Sequence, residues 1–197
     1  MKEINNRTTE YEINDIFLKR FSPRAMSGEP IKNEVLMTLF EAARWAPSSR
    51  NIQPWRFVYA LRGTPDFDLF LSFLVESNQI WCKDSGALVV VISKKTDDKG
   101  EIDIKHSLCT GMAFENLALQ GTNMDLVVHG MGGYQEELIR KELNLSDDYD
   151  IEMMITIGYP GKIEDLPEKL QEREKPSQRK NIDEIVFMGK DGAKNLV

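Results

Sequence analysis

The stretch that decides the fold is residues 41–57, which read EAARWAPSSRNIQPWRF. It begins as a helix, breaks at Pro47 and ends in an apolar segment typical of a strand. Between these elements lies a loop of small side chains that can donate or accept hydrogen bonds: Ser48, Ser49, Asn51 and Gln53. Pro47 and Pro54 stiffen the backbone on either side of it. Such a loop suits a flat heteroaromatic ligand better than a core, and an ordinary helix-to-strand connection is the alternative interpretation.

The length and charge of the chain limit the class of protein. At 197 residues and 22.6 kDa it fits a single domain with its own hydrophobic core. The formal net charge of -7, from 25 basic and 32 acidic residues, argues against a nucleic-acid-binding protein, which usually carries a basic face. A basic pocket would therefore stand out against this background.

The two cysteines, Cys82 and Cys109, lie far apart in the sequence and outside any metal-ligand spacing. We expect free buried thiols in a reducing compartment rather than a disulfide. The N-terminal residues lack the apolar stretch of a signal peptide, and no segment approaches the roughly 20 apolar residues of a membrane span. A cytoplasmic location is the prediction.

The pattern of apolar residues and the order of the elements predict an α+β domain with a mixed sheet and a large helical share. Residues 87–92 are rich in valine and typical of a strand buried on both faces. Residues 102–123 have apolar and small side chains around much of a helix circumference, so we expect a long, central, largely buried helix. The other predicted elements are helices at residues 12–19, 33–45 (with Asn33 as N-cap), from Pro65 onward, and 135–143, and strands at 56–61, 125–128 and 151–157.

The composition changes after Pro160. Residues 161–180 are mostly charged and contain little that could anchor a core, so this tail is expected to be either mobile or packed across a partner subunit. A short apolar patch follows that must be buried somewhere: Ile182, Ile185, Val186 and Phe187.

Three segments could bind a ligand. The guanidinium groups of Arg20 and Arg24, with the Ser22 hydroxyl between them, could converge on one phosphate, and a solvated basic turn is the alternative. Residues 129–134 (HGMGGY) follow a predicted strand, and their glycines allow close backbone approach to a ligand, with a tight strand-to-helix turn as the alternative. The basic run of residues 173–180 matters only if it meets the first segment.

Catalytic side chains are not evident in the sequence. The two histidines, His106 and His129, sit in no recognisable nucleophile context, and no His/Cys/carboxylate spacing indicates a metal site. We interpret His129, at a strand end, as a hydrogen-bonded structural residue. An enzyme of this kind often takes its chemistry from a cofactor.

Together and in this order, the motifs resemble the nitroreductase family of flavin enzymes over essentially the whole chain. They are RxSxR at residues 20–24, ARWAPSSxNxQPWxF at 43–57, HGMGGY at 129–134, IGYP at 157–160 and a basic C-terminal arm. The resemblance implies that residues 1–197 form a single FMN-binding domain with a mixed sheet flanked by helices. It also implies a homodimer that binds FMN at its interface, with residues 161–197 as an extended arm exchanged between subunits.

The resemblance also implies which residues contact FMN. For the phosphate and ribityl chain they are Arg20, Phe21 through its backbone, Ser22, Arg24 and Arg179. From the neighbouring subunit they are Pro47, Ser48, Ser49, Asn51 and, less directly, Gln53. For the pyrimidine edge and the reactive N5 of the ring they are Asn78, Met131, Gly132 and Gly133. This chain lacks the lysine that some relatives carry near Trp81, and it has Gly132 where some have glutamate.

The implied reaction passes a hydride from NADH or NADPH through flavin N5 to a small acceptor such as a nitroaromatic or a quinone, in a ping-pong cycle. The protein positions and tunes the ring and supplies no side-chain nucleophile. Two alternatives stay open: the same fold used for dehalogenation, enone reduction or flavin-dependent dehydrogenation, and a flavin-binding sensor without turnover.

Overall fold

A four-stranded antiparallel sheet with helices packed on both faces forms the body of the protein. The structure is a computed structural model that describes the backbone of residues 2–196 and the side chains of residues 5–194. The strands are β1 (Lys2–Ile4), β2 (Arg7–Thr9), β3 (Trp55–Leu61), β4 (Ala87–Lys94), β5 (Val127–Met131) and β6 (Tyr149–Gly158). The helices are α1 (Ile16–Lys19), α2 (Asn33–Arg44), α3 (Pro65–Ser72), α4 (Glu76–Cys82), α5 (His106–Asn123), α6 (Glu136–Glu142), α7 (Glu168–Gln171) and α8 (Gly189–Gly192).

The strands of the main sheet follow the order β3-β4-β6-β5, and all three pairings are antiparallel. The predicted α+β class is confirmed, and the prediction of a mixed sheet is corrected by these pairings. That prediction rested on the order of helices and strands. Element order does not encode strand direction, which depends on where each connecting segment returns the chain to the sheet.

Alternate residues of β4 face two separate hydrophobic cores. Leu88, Val90 and Ile92 pack with side chains of α3, α4 and α6. Val89 and Val91 pack on the opposite face with α2 and α5. The strand order places β4 inside the sheet and β5 at one edge, so the turn that follows β5 lies at that edge.

Helix α5 begins at His106, four residues later than predicted. Ile102 lies outside the helix because it pairs with Thr96 in an isolated β-bridge. One face of α5 packs on α2 and the sheet, whereas Leu108 on the other face is 61% exposed. Within one protomer the helix is therefore partly exposed, which corrects the expectation of a largely buried helix.

Most other predicted boundaries agree with the structure to within one to three residues. Helix α1 is the main exception, because it begins only at Ile16, whose N–H donates to Asn14 Oδ1 at 3.0 Å. Helix α2 follows the prediction closely, but its N-cap is Lys32, and Asn33 is the first helical residue.

Strands β1 and β2 form a small hairpin at residues 2–9, called here the N-terminal hairpin, for which the sequence carries no clear pattern. Its register pairs Ile4 with Arg7, so the loop consists of Asn5 and Asn6 alone. Both asparagines have positive φ, 55° and 59°. Two positive φ values in a two-residue loop define the tight hairpin turn that matches strand twist, and asparagine tolerates this conformation.

The C-terminal segment packs on its own protomer in its first half, contrary to the expectation that residues 161–180 lack an anchor. Leu166 is buried, and Leu170 packs against the same hydrophobic core. The apolar patch further on is not covered, since Ile185 and Val186 are 61% and 62% exposed.

Both cysteines are free and buried, as predicted. Burial raises the pKa of the Cys82 thiol far above its usual range. Across residues 2–196, none of the helices combines the length and the apolar character needed to cross a membrane.

Candidate active site

A cleft of about 260 Å³ opens between residues 20–24 and the C-terminal segment at residues 173–179. Six cationic side chains line it: Arg7, Arg20, Arg24, Arg173, Lys175 and Arg179. This basic cleft stands in a chain whose net charge is -7. Like charges at such density repel one another unless an anion lies between them, and guanidinium groups match phosphate oxygens particularly well. The two basic segments that the sequence analysis left separate do meet, and the cleft suits a phosphate group.

Arg7 holds the two sides of the basic cleft together. Its Nη1 donates to the carbonyl oxygens of Leu18 at 3.1 Å and Arg20 at 2.6 Å. Its Nε donates to the carbonyl oxygen of Ser177 at 2.9 Å. The residue is buried, and burial, followed by the charges of Arg179 and Arg20, lowers the pKa of its guanidinium. The positive charge of Arg7 is therefore disfavoured both by burial and by the neighbouring arginines.

Glu174, in the C-terminal segment, fixes the backbone at residues 24 and 25 on the other side of the cleft. One carboxylate oxygen, Oε1, accepts hydrogen bonds from the N–H groups of Arg24 at 2.5 Å and Ala25 at 2.8 Å. The other, Oε2, lies 3.6 Å from Arg24 Nη1 and has no hydrogen-bond partner among the described residues. The side chain is only 3% exposed. A buried carboxylate thus sets the direction in which the Arg24 side chain leaves the backbone.

His129 lies at the inner wall of the basic cleft on strand β5. Its Nδ1 is 2.9 Å from the carbonyl oxygen of Pro23, and because a carbonyl only accepts, Nδ1 carries the proton. Its ring packs on Trp81 at 4.8 Å between centroids, and the Arg24 guanidinium lies 5.9 Å from the same indole. Burial lowers the pKa of His129, and the hydrogen bond to Pro23 opposes this effect. A neutral, hydrogen-bonded imidazole agrees with the structural role that the sequence indicated.

The glycine turn after β5 lies beside helix α4. Asn78 Nδ2 donates to the carbonyl oxygen of Gly133 at 3.1 Å, which joins two segments that the sequence assigned to one ligand. A Cβ on Gly133 would come within 2.7 Å of Asn78 Nδ2, so any other residue there would displace the Asn78 side chain. Gly132 is exposed, with nothing within 4 Å of the Cβ position, and Met131 is buried with its Sδ 3.4 Å from Cys82 Sγ. The turn is therefore packed against the protein at Met131 and Gly133, whereas the backbone of Gly132 is exposed to solvent.

The loop at residues 47–53 is held in an unusual conformation. Three of its residues have positive φ: Arg50, Asn51 and Gln53, at 51°, 56° and 54°. The N–H of Gln53 donates to Ser48 Oγ at 2.8 Å, and the N–H of Ser49 donates to Cys109 Sγ at 3.3 Å. Such strained backbone persists only where surrounding contacts hold it, and it is common at functional sites. No residue of this loop, including Pro47, lines the basic cleft of the same protomer.

A cluster of Ser93, His106 and Asp150 resembles a nucleophilic triad in composition only. Ser93 Oγ lies 2.8 Å from His106 Nδ1, and His106 Nε2 lies 3.9 Å from Asp150 Oδ2. Ser93 is fully buried, and its hydroxyl donates to Glu152 Oε1 at 2.5 Å. A substrate cannot reach this hydroxyl, so the cluster is structural. Within the described part of the chain, no group of three His, Cys or acidic side chains is arranged to hold a metal ion.

The structure brings five of the predicted residues into one cleft: Arg20, Phe21, Ser22, Arg24 and Arg179. Two residues were not expected there from the sequence: Arg7, which lines the cleft, and Glu174, which binds the backbone of Arg24 and Ala25 beside it. Arg7 stands in a short polar segment without a motif, and Glu174 is one acidic residue in a charged run, so neither carried a local signal. Arg173 and Lys175 were recognised only as part of a basic run.

Comparisons with known proteins show which family this chain is similar to. The model of the Nitroreductase family matches residues 17–66 and 63–159. A crystal structure described as an oxidoreductase containing FMN is 39% identical, covers 96% of this chain and 98% of its own, and superposes with a TM-score of 0.93. YfhC of Bacillus subtilis (strain 168), whose name assigns it as an NAD(P)H nitroreductase, is 23% identical over 83% of this chain and 92% of its own.

The fold is shared more widely than the sequence. A nitroreductase family protein from Streptococcus pneumoniae TIGR4 is only 18% identical, yet it covers 89% of this chain and 98% of its own with a TM-score of 0.71. Because the family model spans most of the chain and the FMN-containing oxidoreductase is 39% identical over nearly its whole length, this chain belongs to the nitroreductase family.

Proposed function

We propose that this protein is an FMN-dependent oxidoreductase that passes a hydride from NADH or NADPH to a small acceptor such as a nitroaromatic or a quinone, in a ping-pong cycle. The observation that carries the proposal is the basic cleft at His129, joined by strand β5 to the open glycine turn at Gly132 and Gly133. These two features lie roughly 10 to 13 Å apart along extended chain. That spacing suits a ligand with a phosphate at one end and a flat ring at the other.

The residues present fit FMN in charge and in shape. The phosphate end has a set of donors that includes Arg20, Arg24 and Arg179, and their mutual repulsion is relieved by a dianion. At the ring end, the open backbone at Gly132 allows a flat ring to approach closely. The relative that is 39% identical contains FMN, and YfhC is named for its use of NAD(P)H.

FMN supplies the redox chemistry when bound, since its N5 accepts and donates hydride. The protein residues would hold and orient it. Glu174 orients Arg24, the Trp81 indole packs against Arg24 and His129, and Asn78 fixes the turn at Gly133. Because Gly132 has no side chain, the space above the turn stays open for nicotinamide and then for the acceptor.

The proposal includes a homodimer in which each active site needs both subunits. Leu108 on α5 and Ile185 and Val186 on the C-terminal segment are apolar and largely exposed in one protomer, as expected of surfaces that a second copy covers. The loop at residues 47–53 is polar and has three residues with positive φ, but it lies outside the basic cleft of its own protomer. In the dimer, this loop and an exchanged C-terminal arm would complete the site of the other subunit. The predicted cytoplasmic location stays a prediction.

Three measurements on the purified protein test the proposal. The visible spectrum should show the two flavin bands, light scattering should give twice the mass of the chain, and NADH or NADPH should be consumed with a nitroaromatic or a quinone. A colourless protein that takes up no added FMN would refute the flavin site. Bound FMN without turnover of any acceptor would favour the sensor instead.

A further inference from the structure

Arg7 differs from the other cations of the basic cleft in its origin and its burial. It belongs to the N-terminal hairpin, and the family match begins only at residue 17. Four cleft arginines other than Arg7 are at least partly exposed, whereas Arg7 is only 6% exposed. The Nε and Nη1 atoms of Arg7 donate hydrogen bonds to three backbone carbonyl oxygens. Its Nη2 makes no hydrogen bond to the residues that the structure describes. Nη2 is therefore the part of this guanidinium that remains for a ligand in the cleft.

We propose that Arg7 completes a subsite for a phosphomonoester dianion and couples its occupancy to docking of the N-terminal hairpin. The inference rests on the proposed function in one respect, that the natural phosphomonoester is FMN. The binding site itself follows from the charges and contacts of the cleft.

Two opposing effects produce the coupling. The three hydrogen bonds from Arg7 join the hairpin to the backbone at Leu18 and Arg20 on one side and Ser177 on the other. The Gln178 side chain donates to the Asn6 carbonyl oxygen and adds a second link between the hairpin and the C-terminal segment. Against these contacts, burial of the guanidinium, followed by repulsion from the charges of Arg179 and Arg20, lowers its pKa.

An anion in the cleft removes that repulsion while leaving the hydrogen bonds in place. Docking of the hairpin is then stabilised by the anion, and by linkage the anion binds more tightly when the hairpin is docked. The coupling distinguishes ligands by their phosphate: FMN and inorganic phosphate carry the charge, and riboflavin has the same ring without it.

The first experiment measures amide hydrogen exchange of residues 2–9 in the full-length protein with no ligand, inorganic phosphate, riboflavin or FMN. Phosphate and FMN should slow exchange in the hairpin severalfold, and riboflavin should not. Equal exchange with and without phosphate would overturn the coupling. Because inorganic phosphate contains no flavin, this result does not depend on whether the protein is a flavoenzyme.

The second experiment compares FMN and riboflavin affinities of three variants by flavin fluorescence. Arg7→Met should weaken FMN binding by about 10- to 100-fold and leave riboflavin within about twofold, since it removes one charge-assisted contact to phosphate. Arg7→Lys keeps the charge without the planar guanidinium, so its loss of FMN affinity should lie between those of the wild type and Arg7→Met. Arg62→Met is the matched control, because Arg62 also donates to two backbone carbonyls, of Lys83 and Ser85, but lies outside the cleft.

The outcomes separate the two proposals. An unchanged FMN-to-riboflavin ratio in Arg7→Met, or the same change in Arg62→Met, would overturn the role of Arg7 while leaving the flavoenzyme intact. Failure of the wild-type protein to bind either flavin would refute the proposed function, and the phosphate arm of the exchange experiment would still decide the anion subsite. If Arg7→Met does not fold, Arg7→Lys carries the affinity test.

Discussion

Replacing Glu174 with alanine should destabilise the protein by about 2 to 4 kcal/mol. The carboxylate is 3% exposed, and its Oε1 accepts from the N–H groups of Arg24 and Ala25 at 2.5 and 2.8 Å. Glu174→Ala leaves two partly buried backbone donors without an acceptor, at about 1 to 3 kcal/mol each. Part of this loss is offset, because the variant no longer buries a charge whose Oε2 lacks a hydrogen bond. The cost of the two unpaired N–H groups, reduced by the removal of this charge, gives the stated range.

Urea unfolding of the full-length protein without added flavin measures this change directly. Glu174→Gln keeps an amide oxygen for the two N–H groups but places an NH₂ group beside Arg24, so a smaller loss of about 1 to 2 kcal/mol is expected. Glu172→Ala is the matched control, because Glu172 lies two residues away and is exposed, and a change within about 0.5 kcal/mol is expected. If Glu174→Ala were as stable as Glu172→Ala, the carboxylate would not hold residues 24 and 25, and the argument for an oriented Arg24 would fail.

Three further predictions concern His129, the glycine turn and the cysteines. Burial lowers the pKa of His129, so just below pH 6.5 the unfolded chain binds more protons than the native one. The free energy of unfolding should therefore fall between pH 7 and pH 5 more steeply in the wild type than in His129→Asn. Parallel pH curves from urea unfolding would contradict this. Gly133→Ala should lower the free energy of unfolding by about 1 to 3 kcal/mol, because the new Cβ would meet Asn78. Gly132→Ala has open space at Cβ and should change it by no more than about 0.5 kcal/mol. Thermal unfolding of both variants measures the difference. Both cysteines are buried, so a thiol reagent should modify the native protein far more slowly than the urea-unfolded protein, and rapid modification of two thiols without unfolding would show that they are accessible.

Much of the local structure followed from the sequence because its causes are local. The apolar run at residues 87–92 became the buried strand β4, and Pro65 marks the start of α3 at the position where a proline is tolerated. The loop at residues 47–53 was recognised from its prolines and polar side chains. Its three positive φ values could not be predicted, because contacts such as Ser49 N–H to Cys109 Sγ hold them across 60 positions of sequence.

The sequence by itself determined the family, the α+β class and the segments that carry basic and glycine-rich motifs. Only the tertiary structure decided that the sheet is antiparallel throughout and that residues 20–24 meet residues 173–179. It alone placed Arg7 and Glu174 at their meeting point, through hydrogen bonds that span 170 and 150 positions of sequence. Periodicity and capping act over a few residues and are visible in the sequence. The partner of a buried charge is chosen by the path of the whole chain, since the charge must find hydrogen bonds wherever packing brings it.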